Sequence, residues 1–193
     1  MQMGTSRMEA FSDGVLAVII TIMVLEMKVP QGADWAALAT ILPVFLVYML
    51  SFINIGIYWN NHHHMLQAAK HTSGRAMWAN LHLLFWLSLV PFVTGWMGEN
   101  HFAALPTALY GTVLLMAAIA YTLLQNSLMA ADGKRALLAR AVGDDLKGKI
   151  SIACYVLSIP LAFVNQILSD VLFVGVAVMW LVPDRRIERV NER

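Results

Sequence analysis

Six apolar runs separated by short polar breaks set the pattern of the chain. The first covers about residues 8–27 and closes at Pro30 and Gly32, where one residue removes a backbone donor and the other adds backbone freedom. The second, about 35–65, follows the capping candidate Asp34. It is interrupted only by Pro43 and by amides and histidines at its far end, which predicts one long, tilted helix. Further helices are predicted over about 77–97, over 102–129 with Pro106 in the first turn, and over 149–167 with Pro160 inside. The last helix is predicted over 170–182. Val171 to Val182 offers only 12 apolar residues, short of the roughly 20 that a full crossing needs. The pattern predicts an all-α membrane protein with six transmembrane helices in one unit, residues 1–183, followed by a basic tail, residues 184–193.

Composition agrees. The chain is 59% hydrophobic and 13% charged, with mean hydropathy +0.65, whereas soluble domains carry about 25% charged residues. Charge sorting favours a sixth crossing. With six spans, Arg7, Lys70, Arg75, Lys134, Arg135, Arg140, Lys147, Lys149, Arg185, Arg186, Arg189 and Arg193 fall on one side and only Lys28 on the other. That side is the cytoplasm, and it receives both termini, the His-rich turn and the 132–149 loop. Five spans would strand the basic tail outside. The same sorting leaves no single basic patch for nucleic acid. Cys154 is the one cysteine, so no internal disulfide forms. Residues 1–29 do not read as a cleaved signal peptide, because Glu9 and Asp13 interrupt the basic lead and no Ala-x-Ala-like site follows. Without an internal repeat, one six-helix unit must oligomerise to enclose a pore.

Charge is concentrated at the mouth of helix 1, where Arg7, Glu9 and Asp13 precede an uninterrupted apolar run. Intramembrane charge costs about 2.5–3.5 kcal/mol at a helix centre and marks functional positions. Helical phase separates these groups from the rest. At about 100° per residue, Phe11, Gly14, Thr21, Ile22 and Leu25 fall within about 60° of Val18, whereas Asp13 lies about 140° away and Ser12 about 120° away on the other flank. Asp13 therefore reads as a packing latch and the uncharged stripe as the candidate pore wall. On a symmetry axis, Thr21 would form a hydroxyl ring between apolar rings of Val18 and Leu25, the kind of constriction that gates by dewetting. On spacing alone, lipid or bundle packing is the more usual role of such a stripe, with Thr21 bonded to its own helix.

Helix 2 ends in Tyr58-Trp59-Asn60-Asn61-His62-His63-His64, and helix 3 carries Asn80 and His82. Consecutive histidines on a helix point about 100° apart and cannot converge on one ion, so no metal site is predicted. Histidine and asparagine at this depth could instead hold the Asp13 carboxylate. Ser12 has no histidine in local register and no nucleophile elbow surrounds it, so the chain does not read as an enzyme.

Arg7-x-x-x-Phe11-Ser12-Asp13 followed by Thr21 resembles the signature of the transmembrane-protein-175 family of potassium channels, in its bacterial single-repeat form. Trp59-x-Asn61-His62-His63, Asn80 and Pro91-Phe92 are similar to that family as well, so the likeness is sharp over helices 1–3. It implies a homotetramer in a bacterial inner (plasma) membrane, passing K⁺ passively along helix 1 with no cofactor. Val18, Thr21 and Leu25 match the family's pore-lining sites: an apolar constriction, a hydroxyl layer implicated in potassium preference, where K⁺ would pause, and a second apolar layer. Arg7, Phe11, Ser12 and Asp13 match the signature that knits helix 1 to helices 2 and 3, together with His62, His63 and Asn80. Val18 is smaller than the isoleucine of the animal relatives, which implies a wider ring. Two other readings fit the residues. One is a proton-permeable pathway or proton-coupled transporter using Asp13 with His62, His63 or His82. The other is a non-conducting scaffold. The 132–149 loop, with basic residues beside Asp132, Asp144 and Asp145, has the chemistry to meet anionic lipid.

Overall fold

The apolar runs fold as helices, and proline decides where two of them break. The computed structural model describes residues 5–69, 71–132 and 145–181. Helix α1 spans Ser6–Leu25. The expected second helix is two pieces, α2 (Trp35–Thr40) and α3 (Leu42–Ala68), joined at Ile41. Pro43 supplies no N–H and disfavours helical geometry in the residue before it, so it sits in the first turn of a new helix. Pro91 acts in the same way, dividing the third run into α4 (Gly74–Ser88) and α5 (Val90–Glu99). Then follow α6 (Ala104–Asp132), α7 (Leu146–Val164) and α8 (Gln166–Leu181).

Side-chain caps fix several of these starts. Asp34 accepts from the Ala37 amide at 2.8 Å, Ser73 from Ala76 at 3.2 Å and Asp145 from Gly148 at 3.2 Å. The last helix begins at Gln166 rather than 170, because Asn165 Oδ1 accepts from the Ile167 amide at 3.0 Å and Asp170 is absorbed into the helix. α7 and α8 then run antiparallel about the single residue Asn165. Ser169 Oγ donates to the Ser158 carbonyl at 3.0 Å and Trp180 Nε1 to Ser151 Oγ at 2.8 Å. The 16 residues of α8 therefore reach back to the level of the first turns of α7. Five segments are long and apolar enough to cross a membrane, Ser6–Leu25, Leu42–Ala68, Gly74–Glu99, Ala104–Ala131 and Leu146–Val164, and α8 is shorter. Most of the 132–149 loop and the 184–193 tail lie outside the described residues.

α6 forms the centre, packed on α4, α5, α7 and α8, while α1 lies to one side against α3, α4 and α5. Within lipid, helices associate through close packing and interhelical hydrogen bonds rather than hydrophobic expulsion. Both devices are present. A Cβ on Gly98 would sit 2.6 Å from Val44 Cα, so glycine lets α5 approach the backbone of α3. Ser51 on α3 hydrogen-bonds Thr94 of α5 at 2.7 Å and Tyr110 of α6 at 3.0 Å.

Candidate functional site

Helix α1 has two chemically distinct sides. Met8, Ser12, Leu16, Ile19 and Met23 recur at spacings of three and four and are buried against the chain's own helices. The opposite side is open: Phe11 is 54% exposed, Val18 56%, Ile22 41% and Leu25 75%, and Gly14 and Thr21 are exposed with them. The stripe picked out by helical phase is thus the exposed side of the helix. Phe11, Gly14, Val18 and Ile22 form one wall of a groove of about 660 Å³ whose other wall is Ser88, Pro91 and Phe92. Thr21 Oγ1 donates to the Ala17 carbonyl at 2.9 Å. That bond uses the hydroxyl's one proton and leaves oxygen lone pairs free to meet a cation.

The buried side of α1 is fastened at its N-terminal end by a hydrogen-bonded chain across three helices. Ser12 Oγ donates to the Met8 carbonyl at 2.8 Å and accepts from Asn80 Nδ2 at 2.9 Å. Asn80 Oδ1 accepts from His62 Nε2 at 2.7 Å. Asn80 already donates to Ser12, so its oxygen faces His62 and the proton of that bond belongs to the imidazole. Ser12, His62 and Asn80 are all buried. A buried polar group without a partner costs about 1–3 kcal/mol, which ties the three helices to one register.

A second set of contacts holds the carboxylates of α1. Asp13 Oδ1 accepts from Trp59 Nε1 at 3.0 Å, and Glu9 Oε1 pairs with His63 Nδ1 at 2.7 Å. Gln67 Nε2 completes the His63 ring at 2.8 Å. The partner of Asp13 is therefore an indole, not the histidine or asparagine expected, and His62 turns to Asn80 instead. His82 meets Trp86 within α4 at 2.9 Å. Arg7 and Phe11 stand apart: both are exposed, and among the described residues Arg7 forms no ion pair. Glu9 and Gln67 join the assembly without having been singled out as site residues. Glu9 lies four residues before Asp13, so both reach the same neighbouring helix, and that spacing was the available signal.

The chain is similar in sequence and fold to known proteins. Residues 7–91 match the family described as endosomal/lysosomal potassium channel TMEM175. The chain is 54% identical over 187 residues to a potassium channel of Chryseobacterium sp. (strain P1-3), covering 97% of each. It is 36% identical over 92 residues to the human endosomal/lysosomal proton channel TMEM175, covering 41% of this chain and 18% of that protein. Its fold is similar to the crystal structure of a lysosomal potassium-selective channel TMEM175 homolog from Chamaesiphon minutus, with TM-score 0.82 and 27% identity over 93% of this chain and 97% of that one. With near-complete coverage of a bacterial potassium channel and a shared fold, this multi-pass membrane protein belongs to the TMEM175 family of ion channels.

Proposed function

We propose that the protein is a passive, potassium-preferring cation channel, assembled as a homotetramer in a bacterial inner membrane with both termini cytoplasmic, whose pore wall is the open side of α1. The observation that carries this reading is the two-sidedness of that helix: one side is bonded into the bundle, while Val18, Thr21, Ile22 and Leu25 stand exposed on the other. Around an axis, Leu25 and Val18 supply apolar rings that resist hydration, and the Thr21 oxygens between them offer a weak site to partly dehydrated K⁺. The bacterial relatives named as potassium channels support the choice of ion. K⁺ flux into liposomes tests it. Thr21→Val lowers the K⁺ over Na⁺ preference and Leu25→Ala raises flux; if neither changes flux or preference, α1 is not the pore wall.

A second reading is proton permeation, favoured by the Glu9–His63 contact and by animal relatives named as proton channels. In this arrangement the carboxylate that meets a histidine is Glu9 rather than Asp13. Flux that saturates with substrate and vanishes in Asp13→Asn would favour a coupled transporter over the channel.

A further inference from the structure

Away from α1, the interior of the bundle carries polar groups that the pore does not use. Ser51, Asn54, Tyr58 and Asn61 lie at spacings of three and four on α3, along one side of that helix. Facing them are Tyr110 and Tyr121 of α6, Ser151 and Tyr155 of α7, and Trp180 of α8. A cavity of about 50 Å³ lies among these helices, bordered by Asn54, Tyr58, Tyr121, Ser151, Tyr155 and, at one end, Asp145. It has room for about three to five water molecules, at the roughly 10–15 Å³ that each requires.

Asn54 is the second, independent sign that the cavity is used. The residue is 4% exposed and borders the cavity, and its Nδ2 has no hydrogen-bond partner in the protein. An amide left so costs about 1–3 kcal/mol, and buried native polar groups almost always find protein or water. Hydrogen-bonding groups continue on both sides. Toward α5, Tyr110 bonds Ser51, which bonds Thr94. Oδ1 of Asp170 on α8 is likewise buried without a partner. Toward the start of α7, Tyr121 donates to the Asn61 carbonyl at 3.2 Å, and Asp145 caps the helix.

We propose that this cavity holds water and, with the hydroxyls above and below it, forms a proton-conducting file through each subunit, separate from the α1 face. Each hydroxyl or water accepts a proton on an oxygen lone pair and releases its own to the next oxygen, so charge moves while every group ends neutral. The titratable groups along the file are Asp145 and Tyr155 on α7, Tyr58 on α3, Tyr110 and Tyr121 on α6, and Asp170 on α8; α5 contributes the neutral Thr94. Among the described residues, no side chain lining the cavity is cationic, and the one lining carboxylate, Asp145, sits at the end. The middle of the file therefore lacks the charge to hold K⁺ but has the oxygens to pass H⁺.

The experiment is voltage clamp of the full chain in planar bilayers, with K⁺ current in potassium chloride and proton current in potassium-free N-methylglucamine under a pH gradient. Asn54→Leu, which replaces the unpartnered amide with an apolar group of similar size, lowers proton current at least tenfold, and Tyr155→Phe lowers it several-fold. Both keep K⁺ current within twofold of the parent. Leu25→Trp, which obstructs the α1 face, removes K⁺ current and leaves proton current. The file is overturned if the parent carries no proton current, if proton current survives both interior substitutions, or if it disappears with Leu25→Trp. Should Asn54→Leu fail to fold, Tyr155→Phe decides alone. Failure of the α1 reading shows separately, as K⁺ current that ignores Leu25→Trp.

Discussion

Asn80 Nδ2 and Ser12 Oγ, 68 residues apart in sequence, lie 2.9 Å apart in the buried seam between α4 and α1, and His62 of α3 closes on the same asparagine. One amide thereby fixes how α1 is rotated, and the rotation decides which residues the helix presents outward.

Replacing that amide should loosen the rotation. Asn80→Ala strands Ser12 and His62 together, and interhelical hydrogen bonds in membranes average about 0.6 kcal/mol and reach about 2. The variant is expected to lose about 1–3 kcal/mol, the usual cost of buried groups left unpartnered, read as a lower melting temperature in detergent. K⁺ over Na⁺ preference should fall with it as the Thr21 oxygens leave their alignment.

Asp13 separates a latch from a relay. Asp13→Asn keeps an Oδ1 acceptor for Trp59 but cannot exchange a proton. K⁺ flux within about twofold of the parent is the expected result, whereas Trp59→Phe, which removes the donor, should lower the melting temperature.

Two glycines three residues apart on α5 behave oppositely. Gly98→Ala drives a methyl to 2.6 Å from Val44 Cα, and overpacking of this kind costs about 1–3 kcal/mol. Gly95→Ala meets nothing within 4 Å and should be neutral or gain about 0.5–1 kcal/mol of helix propensity. Thermal melts of the pair isolate the α3–α5 contact.

At the other end of α1, Lys28 Nζ lies 2.7 Å from Glu99 Oε1, and the hydrogen bond to Glu99 raises the lysine pKa. A raised lysine pKa contributes stability below the unfolded value of about 10.4, which is lost as pH climbs through the folded value. The pair is solvent-exposed, so Lys28→Met should leave the melting temperature nearly unchanged at neutral pH, and any small difference from the parent should persist to about pH 10.4 and fade only above it.

Much of this was legible in the residues themselves. Membrane spans follow from long apolar runs, and the grouping of Val18, Thr21 and Leu25 follows from phase alone, because they share a side in any α-helix, but that this side is the exposed one depends on how α1 packs on α3, α4 and α5. The breaks at Ile41 and Leu89 were harder. Apolar side chains continue through both, and only the missing amides of Pro43 and Pro91 record the interruption. The start of α8 was misplaced because Asp170 looks like a boundary, whereas the signal was the capping side chain of Asn165. Pairing was the least legible layer. Nothing local tells Trp59 from His62 as the partner of Asp13; the choice depends on how α1 and α3 lie against each other.

The central claim, that the open side of α1 is the wall an ion passes, is tested most directly by cysteine accessibility in the channel carrying Cys154→Ser. Single substitutions Val18→Cys, Thr21→Cys and Leu25→Cys should let a water-soluble, thiol-reactive reagent block K⁺ current, while Leu16→Cys, Ile19→Cys and Met23→Cys should not respond. Block from the second set, or from neither, would contradict the account.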